Sequence, residues 1–446
     1  MLADALRTTP AGVGETLALV DGLDDALVHG LARLDEDRTA ALEDLAAAFA
    51  GSPLADRVAD SVGKIIAGSV TDEHLIALAG ARTALLGAVH DALLTSVDTA
   101  LGRTRQPWAA TTPETTPGLL AGGRSWLREL AIAGWHGVDH ELAAAGGQAV
   151  AALLADPAQR RLAVLLDGFA GELRAAAPVA TLDRIPVRRW ADLWTRALLL
   201  SQDDYPAFEA APVSGRLLYL GVDLHEHPTV FQAQVHALLE TGGEVRVVRT
   251  GVAAAKVDTI TGPSVWRMLA GFPVFRAMVT GGTSAEIDGM ALTPAGDLIW
   301  DEARATSGDA ADPITTARVR LGAATLPAVP PLDRHPAMLT TPVLLEGFDL
   351  GGGVMVAVDY DRLPAAGPLT PALVDGSTAC LGLLRWDGRW SVQPLAVQAT
   401  VKKKQVTVHS GEWALGPTEA KAAKAEATAG TAVDVLRERA GRLLRK

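Results

Sequence analysis

Phe231-Gln-Ala-Gln-Val-His-Ala237 places an apolar residue at every second position, with Gln232, Gln234 and His236 between them. Successive side chains on a strand point to opposite faces, so this period of two predicts a half-buried strand. A helix would also fit Phe231–Leu239 by length, and that alternative stays open. Downstream, Thr241-Gly-Gly-Glu244 predicts a hairpin turn into a strand at Val245–Arg249, and upstream Arg216–Val222 reads as another strand. A short helix is expected around Pro263–Gly271, then a hairpin of Ala291–Thr293 and Asp297–Trp300 about a Pro-Ala-Gly turn. Strands are also expected at Val343–Phe348, Val354–Asp359 and Gln405–Trp413. Leu381–Trp386 and Arg389–Val397 flank Asp387-Gly388, a dipeptide that supplies the positive φ of a type I′ turn. Trp386 and Trp390 are placed to pair across that ladder.

Before this β-rich run the period changes to that of helices. Leu42, Leu45 and Phe49 share one helical face, with Asp37 available as a cap and Gly51 and Pro53 closing the segment. A long helix is predicted from Thr71 to Leu101, with Gly102 ending it. Trp190 and Trp194 lie at i and i+4 of a later helix whose first turn suits Pro186. The resulting expectation is an α+β chain. Its N-terminal half is helical and bundle-like, its C-terminal half is mainly antiparallel β, and a helix closes it. The expected divisions are a helical domain at 1–103, a linker at 104–122, a second helical region at 123–210 and a β-rich region at 211–416. That region carries a break at 326–342, where five prolines fall, and 417–446 forms an amphipathic helix or tail.

Composition narrows the class. With 446 residues, 49% of them hydrophobic and 21% charged, the chain has material for more than one core. A formal charge of −12 disfavours binding to phosphate backbones, so no nucleic-acid partner is expected. No apolar run approaches the length of a membrane span, and the first residues lack a secretory signal. There are 32 arginines against 8 lysines and no asparagine, a bias that points to a GC-rich bacterial genome and a cytoplasmic protein. Cys380 stands alone between Ala379 and Leu381, which excludes thiolate zinc clusters and suggests a buried thiol.

Three places carry metal-ligand residue types. His136-Gly-Val-Asp-His140 would set two imidazoles on one helical face, with Asp139 as a base, in an order similar to that of inverted zinc peptidases. Glu141 and Glu172 are the nominal third ligands. His225-Glu-His227 would set two imidazoles on one strand face, although Pro228 argues for an exposed turn there. Asp359 and Asp361 would share a strand face, with Arg362 as an ordinary ion-pair partner. These patterns admit zinc at the histidine pairs and a divalent cation at the two aspartates. No phosphate-binding loop, dinucleotide fingerprint or nucleophile elbow is present.

Two basic features suit a partner. Lys402-Lys403-Lys404 is a compact positive cluster, read either as protection of a strand edge or as a docking patch. The last helix carries Arg437, Arg439 and Arg442 beside an apolar stripe of Val433, Leu436, Ala440 and Leu443.

Ile185-Pro-Val-Arg-Arg-Trp-Ala-Asp-Leu-Trp194 resembles a segment of bacterial accessory proteins that accompany MoxR-type AAA+ ATPases, von Willebrand factor A-type proteins and SWIM zinc-finger proteins. The resemblance covers about a tenth of the chain, and the cysteines of a SWIM finger are missing. It implies an accessory member of an ATPase-linked system and assigns no catalytic residue. The sequence therefore reads as a non-catalytic scaffold or adaptor with protein partners. The alternative is a metal-dependent hydrolase using His136 and His140 or His225 and His227.

Overall fold

The computed structural model describes residues 2–109, 120–154, 159–202, 210–226, 230–351, 353, 355–401 and 403–443. Helices make up the N-terminal half: α1 (Leu2–Arg7), α2 (Val13–His29), α3 (Glu36–Ala48), α4 (Ala55–Ile66), α5 (Asp72–Leu101), α6 (Ala121–Ala133), α7 (His140–Ala145), α8 (Gly147–Leu154), α9 (Arg160–Ala176) and α10 (Val187–Leu200). The long helix α5 has the expected ends. The Thr71 hydroxyl accepts from the His74 backbone N–H, and Gly102 leaves the helix at φ +63°. Asp35, rather than Asp37, caps α3, accepting from the Arg38 backbone N–H at 3.0 Å; Asp37 sits inside the first turn.

The helical regions before and after the Pro/Thr-rich stretch share one core. Leu27 and Leu78 from the first are buried with Trp135, Trp190 and Trp194 from the second. The tryptophans are large enough to bridge the two, and Trp135 meets Trp190 edge-on at 6.4 Å. α5 is long and apolar enough to cross a bilayer, and 56% of its most apolar window is buried inside the fold. The charge that interrupts it, Arg82, is buried and bonded twice to Asp24 of α2, at 2.7 and 2.9 Å.

The C-terminal half is built on two sheets. β1 (Ala211–Glu226), β2 (Val230–Thr241) and β3 (Glu244–Ala255) form an antiparallel meander, followed by α11 (Pro273–Gly281), β4 (Thr283–Leu292), β5 (Asp297–Ile299) and β6 (Ala305–Ala310). Residues 231–237 are strand, with Phe231, Ala233, Val235 and Ala237 all buried on the inner side. Gly242 and Gly243, at φ +58° and +85°, make the turn into β3. β1 pairs with β2 along one edge and β4 along the other, β3 runs parallel to β5, and β5 pairs with β4. The sheet therefore closes on itself in the order β1-β2-β3-β5-β4-β1, the strand order of an OB-type barrel. The 3₁₀ segment Gly262–Leu269 and α11 contribute Trp266 and Phe275 to its core, and the Trp266 ring meets Phe231 at 5.5 Å.

After α12 (Pro313–Arg320) the second sheet gathers β7 (Thr341–Leu345), β8 (Ala357–Val358), β9 (Ser377–Trp386), β10 (Trp390–Val401) and β11 (Lys404–His409), with α13 (Pro371–Asp375) before β9. Its order is β11-β10-β9-β7, and Trp386 faces Trp390 across the Asp387-Gly388 turn. The expected strand at Val354–Asp359 shrinks to two residues. This sheet and α12 lie on the barrel's outer face. Leu218, Leu220, Leu238 and Val247 pack there against Ile314, Ala379, Leu381 and Ala396. Gly221 permits the approach, since a Cβ there would come within 2.5 Å of the Leu395 Cβ.

The proline-rich segment crosses between the halves. Thr325 bonds to Val245 and Val247 of β3, both at 2.9 Å, and Leu326 exchanges bonds with Thr104 and Gln106. It continues through 3₁₀ turns at Pro331–Asp333 and Pro336–Met338. The chain closes with α14 (Ala420–Leu443), whose Val433 and Leu436 pack onto the barrel core.

Candidate functional site

The densest cluster of polar groups lies where β1 of the barrel meets β9 and β10 of the second sheet. Asp223 belongs to β1 and, with Gly221, faces outward from the barrel toward the second sheet. Its Oδ2 accepts from Arg385 Nη2 at 3.1 Å and its Oδ1 from Gln393 Nε2 at 2.6 Å. Arg385 Nε also donates to Gln393 Oε1 at 2.6 Å, so the three side chains form a closed ring of bonds. All three are buried. His225, two residues along β1 on the same face, reaches Asp223 Oδ2 at 3.3 Å through Nε2 and is 38% exposed.

The electrostatics follow from this geometry. Burial works against the Asp223 charge, but the bond and charge of His225, with the charge of Arg385, outweigh it and hold the pKa down to about 2. The same bond to Asp223 raises the His225 pKa against the effect of burial. Arg385 is drawn down to about 10, chiefly by burial. On the next outward position of β2, His236 is buried and neutral, its pKa pulled to about 3 by desolvation. Beside the cluster opens a cleft of about 350 Å³, walled by His225, Glu226 and Phe231 on one side and by Asp361, Arg362 and Pro364 on the other. A carboxylate that orients an imidazole at the wall of a cleft is a recurring element of acid–base and metal sites.

The sequence candidates fall apart from one another. His136 sits in a 3₁₀ turn (Trp135–Gly137) and His140 opens α7. Between them Asp139 caps α7, accepting from the Leu142 backbone N–H at 2.8 Å, so the shared helical face expected for the two histidines does not form. The His136 ring instead meets His29 at 5.4 Å. Glu172 is engaged by Arg189 and Trp190. His225 joins the cluster described above, while His227 lies outside the described residues. Asp359 and Asp361 do not share a strand face: Asp361 is in a 3₁₀ turn, and Asp359 pairs with Arg362 at 2.9 Å. Among the described residues no three His, Cys, Asp or Glu side chains are grouped so as to hold a metal ion. Cys380 is buried in β9, and burial pushes its thiol up to about 12.

Of the basic features, Lys402 lies outside the described residues, as does the side chain of Arg437. Lys403, at φ +67°, occupies the β10–β11 turn and Lys404 opens the edge strand β11. On α14, Arg439 is exposed and Arg442 pairs with Glu438. Of the apolar stripe that the sequence offered to a partner, Val433 and Leu436 lie on the chain's own barrel, and the side chains of Ala440 and Leu443 lie outside the described residues.

Asp223, Arg385 and Gln393 were not singled out from the sequence. The available signal was Arg385 within the apolar run Leu383-Leu384-Arg385-Trp386, since a charge in a continuously apolar strand calls for a buried partner. No family model, curated protein or solved structure matches the chain.

Proposed function

We propose that this protein is a non-catalytic scaffold component of a bacterial multi-protein system, cytoplasmic and of the kind that accompanies MoxR-type AAA+ ATPases. The observation that carries this reading is the use made of the barrel's outer face. By fold analogy, β2–β3 of an OB-type barrel is the surface offered to ligands. Here α12, the second sheet and the crossing segment 325–342 cover it. The buried ionisable groups Asp24–Arg82 and Asp223–Arg385 close on each other as clamps between elements. A chain that uses its binding face and buried charges to join its own parts is suited to hold partners at fixed separations. The native size of the chain, tagged at its chromosomal locus, tests this. A species well above the 46.3 kDa monomer that contains an AAA+ ATPase is expected. A lone monomer in undiluted extract refutes it.

A second reading, metal-dependent hydrolysis through His225 and His227, is favoured by one observation. Asp223 holds the ring of His225 as carboxylates hydrogen-bonded to zinc-ligating histidines hold theirs. Elemental analysis of the purified chain separates the two readings. Stoichiometric zinc that is lost in His225→Ala, with the fold intact, replaces the scaffold by the hydrolase.

A further inference from the structure

The junction between the helical half and the barrel contains adjoining cavities. A groove of about 390 Å³ runs between the last turns of α5, the extended run Arg103–Trp108 and the crossing segment at Val329 and Arg334. A second, smaller cavity of about 90 Å³ shares Leu94, Arg105 and Val329 with it and ends on His236 and Arg249 of the barrel.

Three guanidinium groups line the groove, and two of them are answered. Arg105 donates to both oxygens of Asp98, at 2.9 and 3.3 Å, and to the Pro327 carbonyl. Arg334 donates to the Val329 carbonyl and lies 3.4 Å from Asp91. Arg103 is different. Its Nη1 donates to the Pro342 carbonyl at 2.6 Å, its Nε is buried without a partner, and among the described residues no carboxylate pairs with it. Asp98, the acid whose charge it feels, is held bidentately by Arg105. Burial accordingly works against the charge of Arg103.

The smaller cavity has the same deficit. His236 is 2% exposed and neither ring nitrogen has a partner, and the Nε of Arg249 is also unpaired. Buried donors left unmade are costly, and polar cavities of this kind hold something that answers them. A guanidinium without a carboxylate beside a groove of small-molecule size favours an anion, because a charge-assisted bond offsets its lost hydration more strongly than a neutral acceptor does.

We infer that the junction groove is a binding site for a small oxyanion-bearing ligand, a phosphate or carboxylate, whose charged group is received by Arg103. The Nη–H bonds that the Pro342 carbonyl leaves free are the charge-assisted donors that such groups accept. Trp108 and Leu94 supply the apolar wall for the remainder of the ligand. Because α5, the 103–108 run and the crossing segment all contribute, occupancy would tighten the contact between the two halves.

Titration calorimetry and thermal melting of the full chain with inorganic phosphate and with acetate, against chloride at equal ionic strength, test this. A saturable heat and a raised melting temperature are expected for at least one of the two anions. Arg103→Gln is expected to weaken that binding by roughly tenfold or more, the worth of a charge-assisted pair. Thr99→Glu is the second variant, because Thr99 is exposed on α5 and lines the groove. Its carboxylate supplies an internal competitor and is expected to abolish the response without disturbing the core. No response in the wild type, or an undiminished response in the Thr99→Glu chain, overturns the assignment.

Discussion

Asp223 of β1 and Arg385 of β9 meet at 3.1 Å with both side chains buried, one from each sheet of the C-terminal half. The ring they form with Gln393 joins the barrel to the second sheet by specific bonds rather than by apolar contact alone. Removing one partner leaves the other's buried charge with only Gln393, and for Asp223 also His225, to answer it, which costs up to about 3–5 kcal/mol, the cost of a broken buried pair. Asp223→Ala and Arg385→Ala are each expected to lose stability on that scale in urea unfolding. The double variant should lose clearly less than the sum, because neither charge is then orphaned. Strict additivity would show that the pair contributes nothing as a pair.

The apolar part of the same interface has its own test. Gly221 carries no positive φ, so only space fixes its identity. An added Cβ would lie 2.5 Å from the Leu395 Cβ, an atom too close to its backbone to swing away. Gly221→Ala should therefore destabilise by about 1–3 kcal/mol, as overpacked cores do. Leu395→Gly in the same chain removes the obstructing atom, and the double variant is expected to lie less than additively below wild type. If Gly221→Ala melts like wild type, the sheets do not approach as described.

Buried neutral histidines make stability depend on mild acid. Burial lowers the pKa of His236 to about 3 and those of His335 and His409 to about 4. Unfolded histidine titrates near 6.5. Between about pH 6.5 and 4 the unfolded chain thus binds protons that the folded chain refuses, and stability falls as pH falls. The limiting slope is about 1.4 kcal/mol per pH unit for each such histidine. His225 acts in the opposite sense, since Asp223 raises its pKa; its contribution is complete below the unfolded value and is lost as pH rises through the folded one. Asp223, held at about 2, contributes above the unfolded carboxylate range and loses its contribution only as pH falls toward 2. Unfolding midpoints at pH 7, 6 and 5 should decline, and His409→Gln should flatten the decline. A flat profile from pH 7 to 5 would contradict the burial of these rings.

Cys380 reports on global opening. The thiol is buried on the face of β9 that shares a core with Val89 and Leu93 of α5, and burial holds its pKa at about 12, so almost no thiolate exists at pH 8 in the folded chain. Alkylation by iodoacetamide is expected to be slow in buffer and fast in denaturing urea. Its rate should rise in parallel with the unfolded fraction in Asp223→Ala. Rapid labelling of the native chain would mean that β9 opens locally.

How much was legible in the sequence follows from which contacts are local. The period of two at Phe231–Ala237, the Gly242-Gly243 and Asp387-Gly388 turns, and the Thr71 and Gly102 caps of α5 are all set by neighbours in the chain, and each forms where expected. Closure of β1 onto β4 was not legible, because it joins residues some 70 positions apart. The cap of α3 moved from Asp37 to Asp35 because both acids suit a first turn and only the backbone decides between them. The expected pairing of His136 with His140 failed on Asp139, whose capping bond starts a new helix between them. Asp223 and Arg385 lie 162 positions apart, and only the packing of the two sheets brings them together.

The C-terminal helix distinguishes a partner's surface from a structural one. In sequence its apolar stripe and its arginines suit an external partner. In the fold Val433 is 5% exposed against the barrel core, and Arg267 ties the 3₁₀ segment Gly262–Leu269 to Glu426 at 2.7 Å and to Asp434 at 3.3 Å. Those ion pairs are partly exposed and contribute little, so the buried valine dominates the docking. Val433→Asp places an unpaired carboxylate in the apolar core that also holds Trp413 and Leu269 and is expected to cost about 2 kcal/mol or more. Arg267→Gln should cost well under half of that. Urea unfolding of the two variants ranks the effects. A chain in which Val433→Asp unfolds at the wild-type midpoint would return the apolar side of α14 to the list of surfaces free for a partner.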